Sequence, residues 1–257
     1  MQRETESEID TLKQHAIELK FYGIQAHWSE LTQTQLKWLE KWFEWELTSK
    51  KQRGLERRLR SAKIGKFKPL VDFDWQWPDN IDQSTIHEFM QLEFLNDATN
   101  LILLGSNGVG KSTIAQNLAY QAAIQGFTVI FTNAANMLND LAAQDGELAL
   151  RRRLKYYVTP KLLVIDEVGY LSYGNRHADL LFEIINGRYE QSSTIVTTNR
   201  PFAEWGEVFP NAACVVSLID RLIHHSEIVN IEGKSYRMKE AKERTAKKQK
   251  RQSTCKS

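Results

Sequence analysis

The sequence predicts an α/β fold, a parallel β-sheet sandwiched by helices and preceded by a small all-helical unit. Three observations predict it. From residue 100 onward, short apolar runs alternate with longer stretches of helical periodicity, and such alternation implies right-handed crossovers between parallel strands. The octapeptide Gly105-Ser-Asn-Gly-Val-Gly-Lys111-Ser112 follows one of those runs and opens a helix. The first ~65 residues carry apolar positions at helical spacing and no strand-like alternation.

The elements follow in order. Ile9, Leu12, Ala16 and Leu19 recur at helical spacing until Gly23 breaks the run. A second helical pattern carries Leu31, Leu36, Trp38, Leu39, Trp42, Phe43, Trp45 and Leu47. Four tryptophans (Trp28, Trp38, Trp42, Trp45) fall in this unit, and so many large aromatics need a partner surface. The expected partner is the neighbouring helix; a docking face for another molecule is the alternative. Residues 61–98, punctuated by Gly65, Pro69 and Pro78, read as a linker and lead-in that Phe67, Phe73, Trp75 and Trp77 could pin down. Strands are then expected at 101–104, 127–132, 161–165, 194–198 and 228–231, with helices at 112–125, 134–143, 147–157, 178–190 and 212–225. The expected domains are a helical unit at 1–65, a lead-in at 66–98, a nucleotide-binding domain at 99–238 and a basic, disordered tail at 239–257. About two dozen residues after Ile231 are too few and too charged for a helical lid.

At 42% hydrophobic and 26% charged, the 257-residue chain is too apolar for wholesale disorder. No apolar run approaches the roughly 18 to 20 residues that cross a bilayer, so no membrane partner is expected. The amino terminus has no apolar core of a secretory leader, and Cys214 and Cys255 lie too far apart for a disulfide framework or metal spacing. A reduced, cytoplasmic protein is the expectation. The net charge of +2 conceals a split. Residues 50–68 hold nine basic residues and one acid, and 239–257 hold eight basic residues and two acids, so the remainder is distinctly acidic. Two basic stretches on an acidic body suit an anionic partner, the alternative being a solvated linker and tail.

The octapeptide fits the phosphate-binding pattern GxxxxGK[ST] in full. Glycines let backbone N–H groups turn inward around phosphates, and the helix that follows aims its positive dipole end at them. The residues expected to cradle nucleotide are Gly105, Ser106, Asn107, Gly108, Val109, Gly110, Lys111, Ser112 and Thr113. Lys111 is expected to bridge the β- and γ-phosphates, and the Ser112 hydroxyl to hold Mg²⁺. The apolar run Leu162-Leu-Val-Ile165 ends in Asp166-Glu167. Asp166 is placed to grip Mg²⁺ and Glu167 to act as general base on the attacking water. Thr197-Thr198-Asn199 ends a fourth strand, where the Asn199 amide could orient water or touch the γ-phosphate; an Asx turn is the alternative.

Together, Gly105–Ser112, Leu162–Glu167 and Thr197–Asn199 resemble the Walker A, Walker B and sensor 1 motifs of AAA+ ATPases. The later segments Asn199-Arg-Pro-Phe-Ala-Glu-Trp205, Asp220-Arg-Leu-Ile-His-His225, Ile228-Val-Asn-Ile231 and Ser235-Tyr-Arg237 are similar to IstB/DnaC-type ATPases, and to IstB most closely. The resemblance spans about residues 5–240; Ser106-Asn107 depart from it where the family often has proline. It implies an ATP- and Mg²⁺-dependent AAA+ ATPase that self-associates into a homo-oligomer on double-stranded target DNA and serves a cognate transposase. A DnaC-type helicase loader and an ATP-gated DNA scaffold are the alternatives. It also implies an arginine supplied by the neighbouring subunit, for which Arg221 is the candidate and Arg176 and Arg188 the substitutes. The candidate DNA contacts are Arg57, Arg58, Arg60 and Lys63, and Arg151, Arg152, Arg153 and Lys155. With no base-reading module in view, contact is expected with the phosphate backbone. His87, His224 and His225 have no ligand partners at metal spacing and read as structural or solvent-facing.

Overall fold

The structure is a computed structural model and describes residues 2–170, 174–209 and 213–254. It divides into two compact units, Met1–Arg57 and Arg58–Ser257.

The first unit holds α1 (Gln2–Glu18), α2 (Tyr22–Ala26) and most of α3 (Gln33–Ala62). Lys20 turns left-handed and ends α1, letting the Phe21 N–H return to the Ala16 carbonyl at 3.0 Å. Leu12 and Ala16 of α1 pack on Leu39 and Phe43 of α3, with Leu31, Leu36 and Trp28 at the edge. The expectation that neighbouring helices cover the tryptophans is corrected here. Trp38, Trp42 and Trp45 are 55–57% exposed. Leu39, Phe43 and Leu47 recur every fourth residue and take the buried face, which leaves the tryptophans on another face of the same helix.

The second unit is built on five parallel strands: β1 (Asn100–Gly105), β2 (Val129–Asn133), β3 (Leu162–Val168), β4 (Ser193–Thr198) and β5 (Ser226–Ile231). Their order across the sheet is β2-β3-β4-β1-β5. Alternate residues serve opposite faces: Leu101 and Leu103 enter one core and Ile102 the other, as do Leu162 and Val164 against Leu163 and Ile165. One face is covered by α5 (Lys111–Ile124) and α4 (Gln83–Phe89). The other carries α6 (Ala134–Ala142), α7 (Glu147–Val158), α8 (Asn175–Arg188), α9 (Trp205–Val208) and α10 (Val215–His224). The expected helix start at Ala212 lies outside the described residues.

Two expectations change. The stretch read as a linker is largely folded: Asp82 caps α4 by accepting from the Thr85 N–H at 3.0 Å, and Ile86, Phe89, Leu92, Phe94 and Leu95 are buried. The basic stretch beyond β5 is helical rather than coil as far as it is described, as α11 (Tyr236–Thr254); Cys255 and the last two residues lie outside the description. Lys, Arg, Glu, Ala and Gln are strong helix formers. The first turn is also anchored, by the Tyr236 N–H on the Gly108 carbonyl at 2.9 Å and by Lys239 on Asp74 at 3.0 Å.

Candidate functional site

The site forms at the carboxyl ends of the strands, where β1 leads into α5. Gly108 and Gly110 adopt φ of 83° and 109°, and a side chain at either would collide with Ser235 or with the Phe73 ring. Only glycine satisfies both the backbone and the space. Lys111 is 5% exposed, and its ammonium donates to the Gly105 carbonyl at 2.7 Å and the Ser106 carbonyl at 2.8 Å. Burial pushes this amine down to about 8, against the pull of the Asp166 carboxylate.

Asp166 and Glu167 stand on β3, and the sheet order places β4 between that strand and β1. Thr197 of β4 therefore sits at the centre of the cluster. Its hydroxyl donates to Asp166 Oδ1 at 2.5 Å and accepts the Glu167 N–H at 2.9 Å. The Ser112 hydroxyl reaches the same Asp166 oxygen at 2.8 Å. The β3–β4 register slips between Ile165 and Val168, and Glu167 takes φ of 63°. A bulge with a left-handed, non-glycine residue costs about 1–3 kcal/mol and re-aims the side chain. Asn133, at the end of β2, donates its amide to Glu167 Oε2 at 2.5 Å and caps α6 by accepting the Ala135 N–H at 2.9 Å. Ser112 and Asp166 thus offer a hard, all-oxygen donor pair of the kind Mg²⁺ accepts.

A cavity of about 220 Å³ opens over this cluster. Its lining includes Lys68, Phe73, Trp77, Thr113, Glu167, Tyr170, Tyr236 and Arg237. The carboxyl-terminal segment closes one side: Ser106 Oγ donates to the Gly233 carbonyl at 3.1 Å, and the Trp77 indole to the Lys234 carbonyl at 2.7 Å. The Tyr170 hydroxyl donates to the Asn107 side chain, and burial raises this phenol. Tyr170 and Asn133 escape sequence reasoning, and Phe73, Trp77, Tyr236 and the organising hydroxyl of Thr197 are named there only in other roles. Their signal lies in sheet order and in segments remote from the loop.

Of the expected members, Gly105, Ser106, Asn107 and Asp166 lie outside the cavity lining but bond to groups at the site, whereas Asn199 and Arg221 stand apart from it. Asn199 follows β4, and its Oδ1 is buried without a hydrogen-bond partner among the described residues. Arg221, in the last turn of α10, lies over the Phe182 ring at 4.8 Å, with Nη1 buried and likewise unpartnered. Arg188 is removed as a substitute for Arg221. It is 1% exposed and donates to the carbonyls of Tyr157, Val158, Pro160 and Ser193 and to the Thr194 hydroxyl. Arg176 is exposed in the first turn of α8.

Of the candidate DNA contacts, Arg57, Arg60, Lys63, Arg151, Arg152 and Lys155 are exposed. Arg151 pairs with Glu147 at 2.5 Å. Arg58 donates to the Ala123 carbonyl at 2.9 Å, and Lys63 lies over the Tyr156 ring at 5.7 Å. Arg153 is bound to Asp140 and lies over Tyr156 at 4.3 Å, so it holds α7 to α6. No helix among the described residues is long and apolar enough to cross a membrane.

The arrangement has known counterparts. The crystal structure of DnaI superposes with a TM-score of 0.54 at 18% identity, covering 68% of this chain and 92% of that one. DnaA of Aquifex aeolicus, in a structure bound to AMPPCP, gives a TM-score of 0.50 at 23% identity over 64% of this chain and 50% of that one. At these identities the likeness is one of fold, that of AAA+ P-loop NTPases. In sequence, the chain is 38% identical over 195 residues to the protein assigned as ATP-binding in insertion sequence IS21 of Pseudomonas aeruginosa, covering 76% of this chain and 74% of that protein. It is 34% identical, over 76% of this chain and 78% of the other, to the corresponding protein of insertion sequence IS5376 of Geobacillus stearothermophilus. The model of the IstB-like ATP binding protein family matches residues 8–244. Glycine loop, acidic strand end and the segments beyond Asn199 therefore have one explanation: this chain belongs to the IstB-like ATP-binding protein family.

Proposed function

We propose that the chain is an ATPase that assembles on target DNA and serves the transposase of an insertion sequence. The observation that carries the reading is the Ser112–Asp166–Thr197 cluster beside a buried Lys111, with a carboxylate poised one residue on. That the relatives belong to insertion sequences supports a transposase as the client.

ATP enters the cavity with its phosphates against the 105–111 loop. Lys111 exchanges its two loop carbonyls for phosphate oxygens, and Phe73, Trp77 and Tyr236 offer apolar walls for the base. Ser112 and Asp166 would hold Mg²⁺, which when bound would neutralise charge on the phosphates. Glu167, leaving Asn133, accepts a proton from the attacking water, and the Asn199 oxygen orients that water. Arg221 of a neighbouring copy stabilises the charge that develops on the γ-phosphate, a contribution of roughly 10³-fold or more in rate. Exposed Arg57, Arg60, Arg152 and Lys155 bind DNA phosphates with little sequence preference. Contact with the transposase triggers turnover.

The deciding experiment uses Glu167→Gln in the full chain with Mg²⁺, duplex DNA and the transposase. Turnover should fall by about 10² or more while ATP-dependent assembly on DNA persists. Normal turnover would remove Glu167 from its role, and capture of a replicative helicase in place of the transposase would overturn the choice of client.

A further inference from the structure

We infer that Glu190, His224 and His225 form a binding site for a divalent transition-metal ion of the Zn²⁺ class, separate from the nucleotide cavity. Glu190 is far from the two histidines in sequence, so the pair alone shows no ligand spacing. The fold brings the third ligand to them: one donor atom from each residue lies within 4.8 Å of the others. Glu190 Oε1 is 3.4 Å from His225 Nε2 and 3.9 Å from His224 Nδ1. Tetrahedral bonds of about 2.0–2.1 Å put ligand atoms roughly 3.3 Å apart, so the first separation already fits and the second closes by a small rotation. Two imidazoles and one carboxylate favour Zn²⁺, Cu²⁺ or Ni²⁺ over Mg²⁺, and exposure of all three leaves further coordination positions to water.

Both sides of the site rest on fixed backbone. Glu190 sits in the turn after α8, where the N–H groups of Gln191 and Ser192 each bond the Arg188 carbonyl at 3.0 Å. Arg188 itself is immobilised by its five hydrogen bonds. The end of α10 is tied to β1 through Asn100, whose side chain donates to the Leu222 carbonyl at 3.0 Å and whose N–H donates to the His225 carbonyl at 2.7 Å. The His224 and His225 rings stand with centroids 4.2 Å apart. The Tyr189 hydroxyl lies 2.8 Å from His224 Nδ1 and is the group that an ion at that nitrogen displaces. A bound ion would lock the turn after α8 to the end of α10, one helical turn beyond Arg221.

The test uses the full chain free of nucleotide and Mg²⁺, titrated with Co²⁺ as a visible probe and then with Zn²⁺ as competitor. Wild type should bind one equivalent saturably, and excess Mg²⁺ should leave the Co²⁺ spectrum unchanged. Glu190→Gln should weaken binding by about tenfold or more, and the double variant His224→Ala/His225→Ala should abolish it. ATP affinity should stay constant in these variants, which reports that they are folded. Absence of saturable binding in wild type, displacement by Mg²⁺, or equal binding by all variants would each overturn the site.

Discussion

Lys111 is held by the loop it serves, and its acidity records the cost. Its pKa of about 8 stands below the ordinary 10.5 because burial disfavours the ammonium. Between those values the folded chain binds fewer protons than the unfolded one, so the contribution of this residue to stability rises with pH across that window. ATP acts in the opposite direction. Phosphate charge restores the ammonium, so binding above pH ~8 must take up a proton, and affinity should fall by up to about tenfold per pH unit. Calorimetry in two buffers of different ionisation heat measures that uptake; zero uptake throughout the window would contradict it. Asn133 is the second residue with a double duty, since one amide caps α6 and restrains Glu167. Asn133→Ala should cost about 1 kcal/mol of stability through the lost cap. It should also raise ATP turnover measured without DNA or transposase, because Glu167 is then free. A stability loss with unchanged basal turnover would leave Asn133 a cap only.

At the scale of elements, Arg188 joins the end of α7 to the start of β4. It satisfies three carbonyls at 157–160 and one at 193, and burial pushes its guanidinium down to about 9. Arg188→Leu strands those carbonyls in a dry interior, so urea midpoints should report a loss of about 3 kcal/mol or more. Arg188→Lys should recover little of it, since one amine cannot span the same fork. A loss below 1 kcal/mol would show that water replaces the side chain. Such a role was invisible in the sequence, where Arg188 reads only as a basic residue at a helix end. What was legible was local. The strands announce themselves as apolar runs, and the phosphate loop is eight contiguous residues with a physical reason at each glycine. Asp166 and Glu167 follow from a strand ending in acids. Thr197 and Asn133 depend on which strands are neighbours, which no window of sequence contains. The number of tryptophans suggests burial, but Leu39, Phe43 and Leu47 already fill the face that packs and leave Trp38, Trp42 and Trp45 exposed. In α11, charge density suggested coil, but its residues favour helix and its first turn is bonded to Gly108.

For the whole molecule, the near-zero net charge is the sum of an acidic body and two basic stretches. Under the proposed function the DNA contacts are individual exposed cations, Arg57 and Arg60 in one basic stretch and Arg152 and Lys155 on α7, and many weak phosphate contacts of this kind would gain most if several copies bound together. The proposed assembly also bears on chemistry. Arg221 is absent from the lining of its own cavity, and its Nη1 has no hydrogen-bond partner among the described residues; the proposed function has it act in another copy's site. If each active site combines Glu167 of one subunit with Arg221 of the next, two inactive variants should complement. Glu167→Gln keeps an intact arginine, and Arg221→Ala keeps an intact cavity. Alone, each should lose nearly all turnover on DNA with transposase. Mixed in equal amounts, about a quarter of the interfaces join a cavity with Glu167 to a neighbour with Arg221, so activity should return to roughly a quarter of wild type. The mixture must be allowed to exchange subunits before ATP is added, and recovery should follow the product of the two fractions as the ratio is varied. Full activity of Arg221→Ala alone would dismiss the arginine, and no recovery at any ratio would place both groups on the same chain.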